Sequence, residues 1–398
     1  MIKINKWFPE KVLKKYGSEM LKKIQKKMLE KDSEELTFIE FGNVKYTVNI
    51  ESLLVSPLKD LKAKCKRNGK ECGNGIDLYI TLCELKTYKN LSEGDAALKK
   101  IKAYDKEIYE YLEKQNLDEA SDGINWAALT ANVKKALFQC ICPGGDCKKS
   151  YIDKDNKPKS IIHYDMLDDE LRHKLMLSLG LMTCPYCNRQ YITHYTNEKG
   201  NQRTTADLDH FYQKSIYPLF ALSLFNFIPS CQICNSRMKG EKQQNTLYPH
   251  DEGFGDKVKF CLKPKDNNEK DLLKLWLGDR DVIHKLQIDF EFCEKLDEEF
   301  KERVEGSIEL FKLKQVYDIH KEKALDIILK KRIYENTPYT EYMRTLMGKL
   351  KLSFTDEDII NILVGYHWKD ENYDEPLSKF VHDIFYFDEY STDIIDKK

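Results

Sequence analysis

The amino-acid sequence predicts an α+β protein that is predominantly α-helical, with a small zinc-stapled strand, strand, helix motif embedded in the middle of the chain. Two observations lead to this fold class. Several long segments on both sides of the motif place apolar residues at helical spacing. Between them, the pairs Cys184-Pro-Tyr-Cys187 and Cys231-Gln-Ile-Cys234 bracket a short segment that has the composition of strands.

The four bracketing cysteines are candidates for a structural metal site. Four thiolates in two Cys-x-x-Cys pairs can complete a closed tetrahedral zinc site, which leaves no coordination position for water or substrate. Forty-three residues separate Cys187 from Cys231, so the zinc is expected to hold the base of a small inserted motif. The alternatives are two unrelated cysteine pairs, or a redox role, which would need one pair in a thioredoxin-like setting.

The residues between the two pairs predict where the chemistry lies. Residues 204–210 include β-branched side chains, and apolar residues alternate with polar ones, so Asp209 and His210 are expected at the end of a short strand. Residues 226–231 predict a second strand, and residues 234–239 predict the start of a helix. Because neighbours on a strand point in opposite directions, Asp209 could face a metal while His210 faces a water or a phosphate. A neutral imidazole can take a proton from water near neutral pH.

Three stretches of this segment resemble the HNH nucleases, a family with a ββα-metal core. The stretches are residues 209–215, residues 226–235 and the pair Lys239-Gly240. The resemblance covers only about residues 184–251. It implies metal-dependent hydrolysis of phosphodiester bonds in nucleic acid, with DNA as the favoured substrate.

The same resemblance implies a role for four residues of the motif. His210 matches the general base of the family, and Asn226 matches the middle asparagine, which restrains the hairpin loop. Asp209 matches the metal-binding aspartate. Asn235 stands where the family usually has a metal-ligating histidine and in some branches an asparagine, so its amide oxygen would be the second ligand. Oxygen ligands favour a hard ion, and Mg²⁺ or Mn²⁺ is the expected catalytic cofactor.

Basic residues in and after the motif are candidates for contacts with backbone phosphates. They are Lys214, Arg237, Lys239 and Lys242. Such contacts position a nucleic acid without reading its sequence, so they do not separate DNA from RNA. A solvated helix face is the alternative explanation for the same charges.

A narrower resemblance is to the PtuB branch of HNH proteins, the effectors of bacterial Septu anti-phage systems and of some retron defence cassettes. The matching residues are Cys184-Pro-Tyr-Cys187, Asp209 to Tyr212, Tyr217-Pro218, Ser223-Leu224 and Cys234-Asn235-Ser236. Gln213 stands where that branch is expected to have proline, which changes a turn residue but no catalytic group. Members of the branch pair with a PtuA-type ATPase. This chain contains no Gly-x-x-x-x-Gly-Lys-Ser/Thr loop, so nucleotide control would come from that second subunit.

The length of 398 residues is enough for two or three domains. We expect a mostly helical domain over residues 1–150, the zinc-bound nuclease domain over residues 160–255 and a helical domain over residues 256–398. The first domain could bind a partner or nucleic acid, because residues 1–31 carry ten Lys and three Glu. Helices are predicted over residues 10–31, 97–115, 126–140 and 356–366, and a β-hairpin over residues 37–50. Residues 298–332 predict two helices or one helix with a break, and Pro338 is expected to end this helical segment.

Cysteine content and hydropathy predict the cellular compartment in which the protein is found. The chain has twelve cysteines, with no signal-like segment at its start and no apolar run of membrane-spanning length, so a cytoplasmic location with no membrane partner is expected. Irregular spacing favours packing over a second metal knuckle for the six cysteines that precede the motif. These are Cys65, Cys72, Cys83, Cys140, Cys142 and Cys147.

Two other functions remain open at this point. The enzyme could cleave RNA, such as transfer RNA, because the same metal and base serve either polymer. The chain could also be a catalytically silent, zinc-containing adaptor for nucleic acid or protein. A silent copy has no need for a base and metal ligands together, so the presence of His210, Asp209, Asn226 and Asn235 favours the enzyme.

Overall fold

A computed structural model describes residues 1–28, 33–118, 123–141, 161–242, 244–266, 268–335, 337–350, 355–367 and 373–387. The helices are α1 (Glu10–Gln25), α2 (Ile50–Val55), α3 (Leu58–Lys62), α4 (Gly75–Leu85), α5 (Leu91–Tyr104), α6 (Lys106–Gln115), α7 (Trp126–Ile141), α8 (Asp169–Leu179), α9 (Glu269–Trp276), α10 (Glu298–Leu310), α11 (Leu313–Tyr317), α12 (Lys321–Glu335), α13 (Thr337–Lys349), α14 (Asp356–Val364) and α15 (Ser378–Tyr386). A π-helix covers Ile233–Lys239.

The strands are short and form small sheets. They are β1 (Glu35–Phe41), β2 (Val44–Asn49), β3 (Cys65–Arg67), β4 (Lys70–Cys72), β5 (Leu117–Asp118), β6 (Gly123–Ile124), β7 (His194–Thr196), β8 (Gln202–Thr204), β9 (Asp207–His210), β10 (Phe227–Ser230), β11 (Val258–Pro264) and β12 (Leu286–Phe292). Strands β1 to β4 form one sheet in that order, and the others pair as β5 with β6, β7 with β8, β9 with β10 and β11 with β12. A mixed α and β structure in which helices predominate is confirmed.

The chain divides into two compact units, each built from separate segments of the sequence. The N-terminal unit comprises Phe8–Leu179 and Leu208–Ile228, and the C-terminal unit comprises Met1–Trp7, Gly180–Asp207 and Pro229–Lys398. The chain passes from one unit to the other within β9 and again within β10. The division into three consecutive domains stays a prediction.

The sheet of the N-terminal unit begins with the predicted hairpin. Strands β1 and β2 are antiparallel, with Phe41 opposite Val44. The turn between them has Gly42 at a φ of 56°, a left-handed conformation that glycine adopts without steric cost. In β2, Val44, Tyr46 and Val48 are buried and alternate with more exposed residues, as expected for a strand with one face on a core.

The predicted helix over residues 97–115 is two helices in the structure. Helix α5 ends before Asp105, and α6 begins after it. The Asp105 carboxylate accepts hydrogen bonds from the first backbone N–H groups of α6, and also from Tyr46 Oη (2.7 Å) and Arg67 Nε (2.7 Å). The break therefore results from an N-cap whose other partners come from the sheet. Periodicity along the chain does not report such partners.

Two tyrosines of the N-terminal unit hold the loop formed by residues 211–226, which joins β9 to β10. Tyr16 Oη of α1 donates to the Leu222 carbonyl (2.6 Å). Tyr79 Oη of α4 accepts from the Leu219 N–H (3.1 Å). Both tyrosine side chains are buried. The loop that follows His210 and contains Asn226 is therefore anchored to the helices of this unit.

In the C-terminal half, the sequence allowed two helices or one with a break over residues 298–332. The structure has α10 and α12, separated by the short α11 and a left-handed residue at Lys312 (φ 48°). Pro338, expected to stop the helix, lies in the first turn of α13, where its missing N–H is not needed. No helix in the described part of the chain is both long enough and apolar enough to span a lipid bilayer.

Three aromatic rings form the centre of the C-terminal unit. The ring of Phe260 on β11 lies 4.3 Å from Tyr317 and 5.5 Å from Phe380 on α15. Tyr317 Oη donates to the carbonyl of Cys187 (2.6 Å). A buried tyrosine needs a partner for its hydroxyl, and here that partner belongs to the first cysteine pair. A hydrogen bond therefore joins the aromatic core directly to the first cysteine pair.

A buried ion pair docks α15 onto β11. Lys379 and Asp383 have side chains that are 1% and 0% exposed, and Lys379 Nζ lies 2.5 Å from the Asp383 carboxylate. Lys379 Nζ also donates to the Val258 carbonyl (3.2 Å), and the Asp383 carboxylate accepts from the Phe260 N–H (2.9 Å). Both charges are therefore paired and hydrogen-bonded to the strand, which is the condition for stable burial.

Replacing Asp383 by alanine is expected to lower the free energy of unfolding by about 3–5 kcal/mol, because it leaves the Lys379 ammonium buried and unpaired. Urea unfolding followed by circular dichroism measures this loss. Asp95→Ala is the matched control, since Asp95 pairs with Lys99 at the same helical spacing on an exposed surface. Equal stability of the two variants would contradict the importance of the buried pair.

Candidate metal centre and hydrolytic site

The four predicted zinc ligands meet in the C-terminal unit. Cys184, Cys187, Cys231 and Cys234 are buried, and their sulfur atoms all lie within 4.8 Å of one another. Four sulfurs at about 2.3 Å from one zinc ion lie roughly 3.8 Å apart in a tetrahedron, so this cluster has the size of such a site. The cluster could hold a metal ion and is compatible with zinc.

Hydrogen bonds within the cluster favour a thiolate. The Cys234 N–H donates to Cys231 Sγ (3.5 Å), and the Arg189 N–H donates to Cys187 Sγ (3.4 Å). The neighbouring thiols of Cys184, Cys187 and Cys234 together hold the pKa of Cys231 well below its usual value. A deprotonated sulfur is the form that binds zinc, so the backbone around the two pairs prepares the cluster for a metal.

Asn188 connects the first cysteine pair to the C-terminal helix. It adopts a left-handed backbone conformation (φ 47°), which asparagine tolerates better than most residues. Its side-chain amide donates to the carbonyls of Tyr373 (3.0 Å) and Glu375 (3.1 Å), and its Oδ1 accepts from the Lys379 N–H (3.1 Å). Asn188 therefore caps α15 from a distant part of the sequence, a role that no local pattern indicates.

The strand, strand, helix order predicted between the cysteine pairs is present. Asp209 and His210 end β9, β10 pairs with β9, and Asn235 lies in the π-helix that follows. Asp209, His210 and Asn226 are buried. They belong to the N-terminal unit, whereas Asn235 belongs to the C-terminal unit. The joint metal-binding role of Asp209 and Asn235 stays a prediction of the sequence.

The hydrogen bond of His210 defines the tautomer of its ring. His210 Nε2 lies 3.1 Å from the Ala221 carbonyl oxygen. A carbonyl oxygen only accepts, so in the neutral ring Nε2 carries the proton and Nδ1 carries the lone pair. The rings of Tyr164 (4.8 Å) and Phe227 (5.0 Å) contact the imidazole edge to face. The ring is therefore fixed with Nδ1 as its basic nitrogen.

Asn226 ties the two ends of the loop together. Its Oδ1 accepts from the Tyr212 N–H (2.7 Å), and its Nδ2 donates to the carbonyls of Tyr212 (2.9 Å) and Phe220 (3.0 Å). Its backbone carbonyl accepts from the Phe211 N–H (2.9 Å). One side chain thus restrains the residues directly after His210.

Two residues in the surroundings of His210, Tyr164 and Arg172, were not predicted from the sequence. The Tyr164 ring, which contacts His210, also lies under the ammonium of Lys214 (4.4 Å), and its hydroxyl accepts from Arg172 Nη1 (3.2 Å). Desolvation lowers the pKa of Lys214, and the Arg172 charge lowers it further, while Asp165 opposes the shift. Two cations therefore lie around the ring that contacts the imidazole. Tyr164 and Arg172 precede the first cysteine pair, outside the recognisable motif.

Asn235 is hydrogen-bonded to Asp207, an acidic residue that the sequence pattern did not single out. Its Nδ2 donates to Asp207 Oδ2 (3.0 Å), and both residues belong to the C-terminal unit. A carboxylate only accepts, so the nitrogen of the amide must face Asp207 and Oδ1 must face away from it. The spacing of Asp207 and Asp209 along β9 was the available signal, since alternate strand residues share a face.

The remaining predicted residues are placed as follows. Arg237 and Lys242 are exposed, whereas Lys239 is buried, which is an unusual environment for a phosphate contact. Cys65 and Cys83 are buried in the N-terminal unit, and Cys65 lies opposite Cys72 in the β3–β4 pair. Cys142 and Cys147 lie outside the described residues, as does the side chain of Cys140.

Comparison of the chain with protein-family models, curated proteins and solved structures gives no match. The assignment of a function therefore depends on the residues and on the geometry described above.

Cys231→Ser is expected to remove the bound metal and to destabilise the C-terminal unit, because a hydroxyl is a poor zinc ligand and the cluster is joined to α15 and the aromatic core. Zinc content by mass spectrometry and thermal unfolding measure the two effects. Cys261→Ser is the control, since Cys261 is buried on β11 outside the cluster. Full zinc content in Cys231→Ser would contradict the site.

Proposed function

We propose that this protein is a metal-dependent HNH endonuclease that hydrolyses phosphodiester bonds, with DNA as the favoured substrate. The observation that carries the proposal is the fixed tautomer of His210, held by the Ala221 carbonyl and restrained by the Asn226-braced loop. This arrangement supports His210 as the general base, because Nδ1 of a neutral imidazole can accept a proton from the attacking water. General-base catalysis contributes about 10²–10⁴-fold to a rate.

The metal-binding part of the proposal comes from Asp209 and Asn235. One carboxylate and one amide oxygen make a hard donor set that leaves most coordination positions open, which suits Mg²⁺ or Mn²⁺. When bound, such an ion supplies charge neutralisation at the phosphate and the departing oxygen. The protein supplies the two oxygens and the base.

Asp207 is proposed to position Asn235. Because the Asp207 carboxylate fixes the amide nitrogen, Asn235 presents Oδ1, the ligating atom, on its other side. Without an acceptor at residue 207, the amide could rotate and present a nitrogen that cannot bind a cation. Groups that orient metal ligands in this way typically change metal affinity 10–100-fold when they are replaced, by general experience with metalloproteins.

Cations near the base would hold the phosphate backbone. Lys214 and Arg172 both contact the Tyr164 ring, which lies against His210. In the C-terminal unit, Arg237 and Lys242 are exposed and fit the same role, whereas the buried Lys239 does not. These contacts would bind any nucleic-acid backbone and would weaken as salt is raised.

The biological setting is proposed from the sequence resemblance alone. A PtuB-like chain would be the effector subunit of a bacterial anti-phage complex and would act with a PtuA-type ATPase. An RNA substrate and a catalytically silent adaptor are the competing functions. The cleavage experiment that follows includes an arm for each of them.

His210→Ala is expected to abolish cleavage while leaving a folded protein with wild-type zinc content, since His210 is the proposed base and is not one of the four cysteine ligands; loss of the buried ring should lower the unfolding temperature somewhat. Plasmid DNA and total small RNA are incubated with purified protein and Mg²⁺ or Mn²⁺, with and without the ATPase. His284→Ala, at an exposed position in the C-terminal unit, is the matched control and should cleave normally. Cleavage of RNA alone would replace the DNA substrate, and an inactive wild type with zinc and partner present would favour the adaptor.

Asp207→Asn is expected to weaken Mn²⁺ binding about 10–100-fold, because an amide at residue 207 no longer forces the Asn235 oxygen toward the ion. Electron paramagnetic resonance of zinc-loaded protein titrated with Mn²⁺ measures the affinity directly. Asp207→Glu keeps a carboxylate, which can only accept, and should recover part of the affinity, whereas the exposed Asp256→Asn should have no effect. Unchanged Mn²⁺ affinity in Asp207→Asn would exclude a positioning role.

A further inference from the structure

The hairpin that follows the first cysteine pair has an outward face with two aromatic side chains. Strands β7 and β8 pair antiparallel, with Tyr195 opposite Arg203. The Thr205 N–H donates to the Thr193 carbonyl (2.9 Å), which extends the pairing toward the cysteines. The pairing therefore continues beyond β7 and β8 to Thr193 and Thr205.

Burial along this segment separates its two faces. Tyr191 and Tyr195 are 62% and 51% exposed, and Thr193 between them is exposed. Ile192 is buried, and His194 Nε2 donates to the Leu181 carbonyl (3.0 Å). Within residues 191–195, the odd-numbered side chains are thus exposed, whereas the even-numbered ones are buried or half-buried. Tyr195 lies on β7, and Tyr191 precedes that strand and pairs with Thr183 in an isolated bridge.

A cation shares the face with the tyrosines. Residues directly opposite on paired strands point to the same side, so Arg203 lies beside Tyr195. The Arg203 guanidinium donates to the Gln202 carbonyl (2.8 Å) and forms no ion pair with any described residue. Lys199 in the turn adds a second positive charge, against one carboxylate at Glu198.

We propose that Tyr191, Tyr195 and Arg203, the hairpin face, bind single-stranded nucleic acid. Unpaired bases would stack on the two tyrosine rings, and the guanidinium would contact a phosphate. Four residues of strand span about 13 Å, so the two rings would engage different bases of one strand. In a duplex the base faces are covered by their neighbours, and only a strand with unpaired bases can use both rings.

This inference deepens the proposed function and rests on it for the identity of the substrate. The excess of positive charge favours a polyanion over a second copy of this chain. The chain also runs from Arg203 into β9 within four residues, and Asp207 belongs to the same unit as the hairpin. A strand bound on the hairpin face would therefore lie on the unit that carries Asp207 and Asn235. The substrate class becomes DNA or RNA with an unpaired segment.

The test is a binding measurement that does not depend on cleavage. Zinc-loaded full-length protein carrying His210→Ala is titrated into a fluorescent single-stranded DNA, a single-stranded RNA of the same sequence and the matching DNA duplex, with anisotropy as the readout. A single strand should bind more tightly than the duplex. Tyr191→Ala and Tyr195→Ala should each weaken single-strand binding by roughly 5- to 150-fold, whereas Tyr195→Phe should not.

Tyr342→Ala is the matched control, because Tyr342 is 63% exposed on α13 of the same unit. Its affinity should equal that of the parent protein. Equal binding of single strand and duplex, or parent-like binding by the Tyr191→Ala, Tyr195→Ala double variant, would overturn the proposal. Failure of the nuclease proposal would look different: single-strand binding would persist and depend on both tyrosines, while protein with His210 restored would cleave nothing. The affinities for single-stranded DNA and RNA of the same sequence then show which of the two nucleic acids the protein prefers.

Discussion

Four buried sulfur atoms within 4.8 Å of one another are the constraint on which the C-terminal unit depends. Thiolates so close together repel strongly in a region with little water, and a bound cation turns that repulsion into attraction. The effect reaches beyond the cluster. Cys187 accepts from Tyr317 in the aromatic core, and the neighbouring Asn188 caps α15. Metal binding and the packing of α15 are thus linked through one network of hydrogen bonds.

The candidate hydrolytic residues depend on a different kind of support, the backbone of an anchored loop. The Ala221 carbonyl sets the tautomer of His210, and Asn226 holds the residues that follow it. Tyr16 and Tyr79 attach the same loop to helices far away in the sequence. The imidazole of His210 is therefore oriented by a main-chain group of this loop. This preorganisation is what a catalytic imidazole requires, because a rotated ring would present the wrong nitrogen.

Sequence reasoning was most successful where the chemistry is local. The spacing of the cysteine pairs predicted the cluster, and the composition of residues 204–210 predicted the strand that ends at His210. It was wrong about one continuous helix over residues 97–115, because the cap at Asp105 is completed by groups from other elements. It also missed Asp207, although the carboxylate lies two residues before the expected metal ligand. The spacing of the two aspartates predicts that they share a face of the strand, but the bond of Asp207 to Asn235 depends on a segment 28 residues further along the chain.

The sequence by itself determined the helical α+β class, the four cysteines and the identity of the candidate base, because each depends on spacing or residue type within one stretch of chain. The tertiary structure alone decided which nitrogen of His210 is basic, which atom Asn235 turns away from Asp207 and which residue caps α15. It also decided that Tyr191 and Tyr195 are exposed and that Tyr195 lies opposite Arg203. These properties depend on hydrogen-bond partners and strand register, which are set only when distant segments fold together.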